Sequence, residues 1–309
     1  VPRPSARAAA ALLVPAVATA LLLAGCGSSG PAPSSSGKLN VVAAEDFWGS
    51  IAEQLGGDRV EVTDIIANPT ADPHDYEPTS EDARTMARAQ IAIVNGIGYD
   101  PWASKLLAAN PSSERAVLTV GDLLGLKEGD NPHQWYSPVA VQKVIGQITA
   151  DYRRADPAHA SYFDARRDRF EKVGLARYHR LISQIGARYG GTRVGASESI
   201  FEPLAPALGL KLITPRGFMD AISEGTEPTP AEKATTDGQI AGHEIAVWVY
   251  NSQNATPDVQ RLNDAAEAAG IPTATVTETT TPEGASFQAW QSRELEELRA
   301  ALAEASEGR

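Results

Sequence analysis

The sequence predicts an α/β protein of two lobes, each a mainly parallel sheet flanked by helices, joined by one long rigid helix. Three observations lead there. Short apolar runs rich in β-forming residues alternate with stretches of helical apolar spacing, the pattern of β-α units and a parallel sheet. The alternation stops across residues 158–190, which are charged, helical in pattern, free of proline and without a strand signal. It then resumes, so a similar architecture occurs twice.

The first half begins near Leu39. "KLNVVAAEDFWGSIAEQLGG" is an apolar strand, a turn and a helix. "VEVTDIIANPTADPH" is a second strand running into a loop. "TSEDARTMARAQ" has Thr79 or Ser80 as an N-cap and acids in the first turn of a helix. "IAIVNGIGYDPWASKLLAAN" reads as a buried strand, a Gly-rich turn and a helix, and "RAVLTVGDLL" as a further strand. After "NPHQWYSP" comes a helix over "VAVQKVIGQITADYRRADP". The first lobe is therefore expected over residues 39–157 and the linking helix over 158–190, weakened only slightly by Gly174 and Gly186.

The second lobe is expected over residues 191–309. "TRVGASES" is a strand with its C-terminal loop, "FEPLAPALGL" a short helix and "KLITPRGF" a strand. "TPAEKATTDGQIAGHEI" is a helix region, and "AVWVYNSQ" is a strand rich in β-formers. "DVQRLNDAAEAAG" is a helix ended by Gly270, "IPTATVTET" is the last strand, and "ASFQAWQSRELEELRAALAEA" is a terminal amphipathic helix.

Ahead of the lobes, "VPRPSARAAAALLVPAVATALLLAGC" carries Arg3 and Arg7, an apolar run and small residues before Cys26. This is the export-signal pattern, assigned to residues 1–25. Cys26 is the sole cysteine, so no intrachain disulfide forms. "Leu-Ala-Gly-Cys" resembles the bacterial lipobox, which implies lipid on Cys26 and an anchor on the outer face of the cytoplasmic membrane. Residues 26–38, rich in Gly, Ser and Pro, form a flexible tether. Beyond the signal the chain has 25 basic and 39 acidic residues, a net charge of −14. This balance argues against nucleic acid as a partner, because phosphate binding requires basic patches. An acidic surface instead concentrates cations.

Ligands of open α/β sheets bind beyond the carboxyl ends of the strands. His74, His133, Glu198 and Glu278 fall there, two in each lobe. Pro73 and Pro132 stiffen the loops of the two histidines, "DPHDYEP" and "NPHQWYSP". Imidazole is the commonest ligand nitrogen, and Asp72, Asp75 or Glu77 can hold the second ring nitrogen of His74. Trp135 stands two residues from His133 as a candidate wall of the site, and Glu45 and Asp46 follow the first strand as rim or supporting residues. His159 and His179 read as solvated residues of the long helix, and His243 as a cap or turn.

"DPHDYEPTSED", "NPHQWYSP", "GASESIFEPLAPALGL" and "IPTATVTETTTP" are similar to the four metal-ligand motifs of the cluster A-I zinc and manganese substrate-binding lipoproteins of ABC transporters. The similarity covers essentially the whole mature chain. It implies a metal set of His74, His133, Glu198 and Glu278 in the interlobe cleft, and delivery of the ion to a permease in the cytoplasmic membrane. It also implies a monomer that is not an enzyme. Many zinc-type members of that family have histidine where this chain has Glu198, whereas manganese- and iron-type members have glutamate. Two imidazoles and two carboxylates suit Mn²⁺, Zn²⁺ or Fe²⁺ and disfavour copper(I). A surface adhesin-type lipoprotein and a metal-dependent hydrolase are the alternatives. The hydrolase has no H-E-x-x-H or G-x-S-x-G to support it.

Overall fold

The computed structural model describes residues 37–68, 76–254 and 256–307. His74, Cys26, the export signal and most of the tether lie outside the described residues. Among the described residues no helix is long and apolar enough to cross a membrane.

The first half follows the expected alternation. Strand β1 (Leu39–Glu45) runs directly into α1 (Asp46–Gly56). After β2 (Val60–Ile66) comes α2 (Ser80–Arg88), started by a capping box in which Thr79 and Asp82 bond each other's backbone N–H groups. Then follow β3 (Ile91–Val94), α3 (Pro101–Ala109), β4 (Ala116–Thr119) and α4 (Val120–Leu124). The strands form one parallel sheet in the order β2-β1-β3-β4. Helix α5 (Pro138–Ala155) starts with proline in its first turn and Ser137 as its cap.

The second half repeats this plan. Its parallel strands are β5 (Arg193–Ala196), β6 (Lys211–Leu212), β7 (Trp248–Asn251) and β8 (Thr273–Val276), in the order β6-β5-β7-β8. Each sheet thus reverses its winding beside its first strand, which is where α/β sheets open a crevice. Both sheets lie within one compact unit, residues 31–309.

Three local expectations change. The linking segment is helical, but not one uninterrupted α-helix. A 3-10 turn at Pro157–His159 leads into α6 (Ala160–Arg169), a π-helical turn at Phe170–Gly174 follows, and α7 (Ala176–Tyr189) completes it. Leu175 N–H donates to the Phe170 carbonyl at 2.8 Å, the five-residue bond of a π turn. Gly174 sits where a Cβ would come within 2.9 Å of the Phe170 ring. The expected helix at "FEPLAPALGL" is a 3-10 turn, Ser199–Phe201, followed by turns, because Pro203 and Pro206 lack the donors a helix needs. "KLITPRGF" gives only the two-residue β6, and its end begins α8 (Arg216–Ser223) after Pro215.

Helix α9 (Pro230–Ala241) has its own capping box from Thr229 and Glu232. Helix α10 (Pro257–Ala268) ends at Gly270, whose φ of +67° suits glycine. Helix α11 (Phe287–Glu307) packs on α7 and β8. One hydrophobic cluster runs through both halves, from Val41 and Phe47 through Trp135 to Trp248 and Trp290.

Gly195 lies in the second half of that core. A Cβ there would meet the Trp248 ring at 2.8 Å and Ile245 Cδ1 at 2.9 Å. Gly195→Ala is therefore expected to cost about 1–3 kcal/mol of stability by overpacking. Urea unfolding of the metal-free protein measures it, and an unchanged midpoint would show that the strand relaxes freely.

Candidate metal centre

His133 is held by its own loop. Asn131 Oδ1 accepts from the His133 backbone N–H at 3.0 Å and lies 2.8 Å from ring Nδ1. The Asn131 amide cannot turn over, because its Nδ2 donates to the Ser199 carbonyl at 2.7 Å and to Glu202 at 2.9 Å. Oδ1 must therefore accept from Nδ1–H, which puts the lone pair of the neutral ring on Nε2. A neutral amide, not a carboxylate, orients this histidine. Asn95, just beyond β3, adds a second hold: its Nδ2 donates to the Pro132 carbonyl at 3.0 Å, and its Oδ1 accepts from Trp48 Nε1 at 3.0 Å. Trp135 does wall the site, with its ring centroid 5.2 Å from that of His133 and stacked on Phe47 at 4.0 Å.

Across the seam, His133 Nε2 lies 3.5 Å from Glu278 Oε1. Glu278 follows β8 and Glu198 follows β5, so both carboxylates stand at carboxyl ends of strands. All three side chains are buried: His133 is 0 % exposed, Glu198 2 % and Glu278 5 %. Tyr99 of the first half donates to Glu278 Oε2 at 2.9 Å. Asn251, the last residue of β7, donates to Glu278 Oε1 at 3.1 Å and to Glu198 Oε2 at 3.3 Å. The structure thus brings together His133 and Glu278 directly and joins Glu198 to them through an amide. Among the described residues no group of three or more His, Cys, Asp or Glu side chains is gathered tightly enough to hold an ion by itself. A cleft of about 330 Å³ opens beside His133, lined by Gly98, Glu128 and Asp130 from one half and Ser199, Asp220 and Glu224 from the other.

A family model described as zinc-uptake complex component A, periplasmic, matches residues 41–301. The chain belongs to that family. Among its relatives, the manganese-binding lipoprotein MntA of Halalkalibacterium halodurans is 33% identical over 47% of this chain and 50% of its own length. The iron-binding protein YfeA of Yersinia pestis is 30% identical over 67% of this chain and 68% of its own. The high-affinity zinc uptake system protein ZnuA of Bacillus subtilis is 24% identical over 77% and 79%. The manganese-bound periplasmic metal binding protein of Candidatus Liberibacter asiaticus shares the fold, with a TM-score of 0.72 at 20% identity over 86% of this chain and 100% of that one.

Several residues that shape this candidate site escape a reading of the sequence. Asn131, Asn95, Tyr99 and Asn251 act through amide or hydroxyl groups, which the search for His and carboxylates passes over. Their positions beside Pro-His or just past a β-run were the available signal. Glu45 and Asp46 are buried rather than at a rim. Burial, then the neighbouring Asp100 charge, raises Glu45 well above the ordinary carboxylate value. Asp100 in turn accepts from Asn95 and Gly96 N–H at 2.7 Å each. Asp46 accepts from Thr280 N–H at 3.1 Å across the seam, and burial raises it to about 6. His159 lies outside α6, its Nδ1 2.8 Å from Asp156. His243 is a turn residue with φ of +50°.

Near Glu278, the seam holds a further buried acid. Glu294 on α11 accepts from the Tyr136 hydroxyl at 2.6 Å and from Trp290 Nε1 at 2.7 Å. Burial raises its carboxyl from 4.5 to about 8, against the lowering effect of those bonds. On unfolding the group returns to its ordinary value. The folded chain therefore binds the extra proton between those two values, and stability falls as pH rises through that window. Asp64, raised to about 8 mainly by burial, and Asp46 act in the same direction. The melting temperature of the metal-free protein is expected to fall between about pH 5 and about pH 8, and to fall less in Glu294→Gln. An equal fall in both proteins would remove Glu294 from the account.

Proposed function

We propose that this chain is the extracytoplasmic binding component of an ABC importer for a divalent transition metal. The ion is carried by His74 and His133 from the first lobe, residues 39–157, and by Glu198 and Glu278 from the second, residues 191–309. The observation that carries this reading is the meeting of His133 Nε2 with Glu278 Oε1 at 3.5 Å, wholly buried, across two halves of the fold. An imidazole lone pair facing a carboxylate is a donor arrangement that a cation satisfies. Family membership supports the transport role, and the relatives' names cover manganese, iron and zinc.

Manganese and zinc are both admissible cargo, and iron(II) fits the same donors. Two carboxylates, each able to bind through one oxygen or two, allow the higher coordination that Mn²⁺ takes. Zn²⁺ binds more tightly to equal donors by the Irving–Williams order. The cleft beside His133 has Glu128, Asp130 and Glu224 on its walls, with Asp220 paired to Arg216, and this net acidic lining offers a cation-attracting route in. The core is continuous across the seam, so lobe movement on loading is small, and release requires the permease to disturb one half. Lipid on Cys26 holds the monomeric protein at the membrane.

Metal-stripped protein offered Zn²⁺, Mn²⁺ or Fe²⁺ is expected to take up one ion per chain, and His133→Ala and Glu198→Ala to take up none. Elemental analysis after gel filtration reads the count. Uptake unchanged in both variants would place the ion elsewhere and end this reading. Cys26→Ser is expected to move the protein from the membrane fraction to the soluble exported fraction. Continued membrane retention would argue against the lipid anchor.

A further inference from the structure

Strand register explains why one residue can reach both acids of the second half. Ala196 pairs with Val249, so Glu198 comes level with Asn251. Asn251 itself pairs with Val276, two residues before Glu278. The Asn251 side chain therefore stands between the two chain ends that carry the carboxylates. It is 2 % exposed.

Its amide has only one workable orientation. Oδ1 accepts from Gln253 N–H at 3.0 Å, and the Asn251 backbone N–H donates to Ser197 Oγ at 3.2 Å. The NH₂ group must then face the acids, and its two hydrogens serve one carboxylate each, at 3.3 Å to Glu198 and 3.1 Å to Glu278. No hydroxyl offers two donors, and aspartate would add a third negative charge. Gln253 fixes the receiving side: its Oε1 accepts from the N–H groups of Glu278 and Thr279, and its Nε2 donates to Thr279 Oγ1 at 2.7 Å. On the far side Tyr99 holds the other Glu278 oxygen.

We propose that Asn251 is a positioning residue that yokes Glu198 and Glu278 into a preformed pair and biases the site towards Mn²⁺. This rests on the reading of Glu198 and Glu278 as ligands. Two like charges repel in a desolvated space, and a shared donor offsets that repulsion before any ion arrives. The yoke also limits how far each carboxylate can swing. Zn²⁺ binds four donors strongly and tolerates rearrangement into a tetrahedron, whereas a more weakly bound ion depends more on donors already in place.

Mn²⁺ and Zn²⁺ affinities measured by competition on the wild type, Asn251→Leu and Asn251→Ser test the proposal, with the melting temperature of each metal-free protein recorded alongside. Asn251→Leu removes both donors at similar volume, and Asn251→Ser keeps a single, shorter one if the leucine variant does not fold. Loss of an outer partner of a ligand typically lowers metal affinity about 10–100-fold. Mn²⁺ affinity is expected to fall in that range in Asn251→Leu and less in Asn251→Ser. Zn²⁺ affinity should fall by a smaller factor in each, so the Mn²⁺-to-Zn²⁺ ratio drops. Equal losses for both ions that track a lowered melting temperature would overturn the proposal, as would unchanged affinities. Failure of the wild type to bind either ion would overturn the site reading itself, whereas normal wild-type binding with an indifferent Asn251 would sink only this inference.

Discussion

Two carboxylates, Glu198 and Glu278, are buried within reach of one amide at the seam of the two halves. Like charges in a desolvated space are costly unless donors or a cation compensate them. Much of the surrounding structure serves that constraint. The amide of Asn251, the hydroxyl of Tyr99 and the imidazole of His133 all converge on Glu278. Three elements in two halves must be in register for this to occur, so the seam is built with care.

The two sheets solve the same problem in parallel ways. Each has the strand order in which the third strand lies beside the first. Each places an asparagine at the end of that third strand: Asn95 after β3 and Asn251 in β7. Asn95 fixes the loop of His133, and Asn251 fixes the two acids. Further hydrogen bonds close the seam around them, from Asn131 to Ser199, from Thr280 to Asp46 and from Tyr136 to Glu294. Polar groups at the seam are thus held both within each half and across it, which ties the geometry of the site to the docking of the halves.

Much of this was legible in the sequence. Apolar runs and their spacing indicate the eight strands, most plainly the inner strands β1 and β3, which are buried almost throughout. The cap at Thr79 is local chemistry and reads directly, whereas the equivalent box at Thr229 emerges only in the structure. The π turn at Phe170–Gly174 was not legible, since it depends on how Phe170 packs rather than on any local propensity. The apolar spacing of "FEPLAPALGL" suggests a short helix, but the backbone obeys Pro203 and Pro206 and forms turns. In the candidate site, His133, Glu198 and Glu278 stand out in the sequence because they carry charge or a ligand nitrogen. Asn251 and Asn131 were missed because a neutral amide acquires its role only from the neighbours that the fold supplies.

The proposed donors meet at this seam. The orienting amide leaves Nε2 as the ligand nitrogen of a neutral His133 ring, and Glu278 meets it from the other half. The central claim is that one cation sits where these groups converge. Anomalous diffraction from crystals of the zinc-loaded protein, collected at the zinc edge, tests this most directly. The account expects a single strong peak about 2.0–2.2 Å from His133 Nε2 and from oxygens of Glu198 and Glu278. A peak remote from His133, with the Asn251 yoke and the carboxylates unchanged, would contradict it.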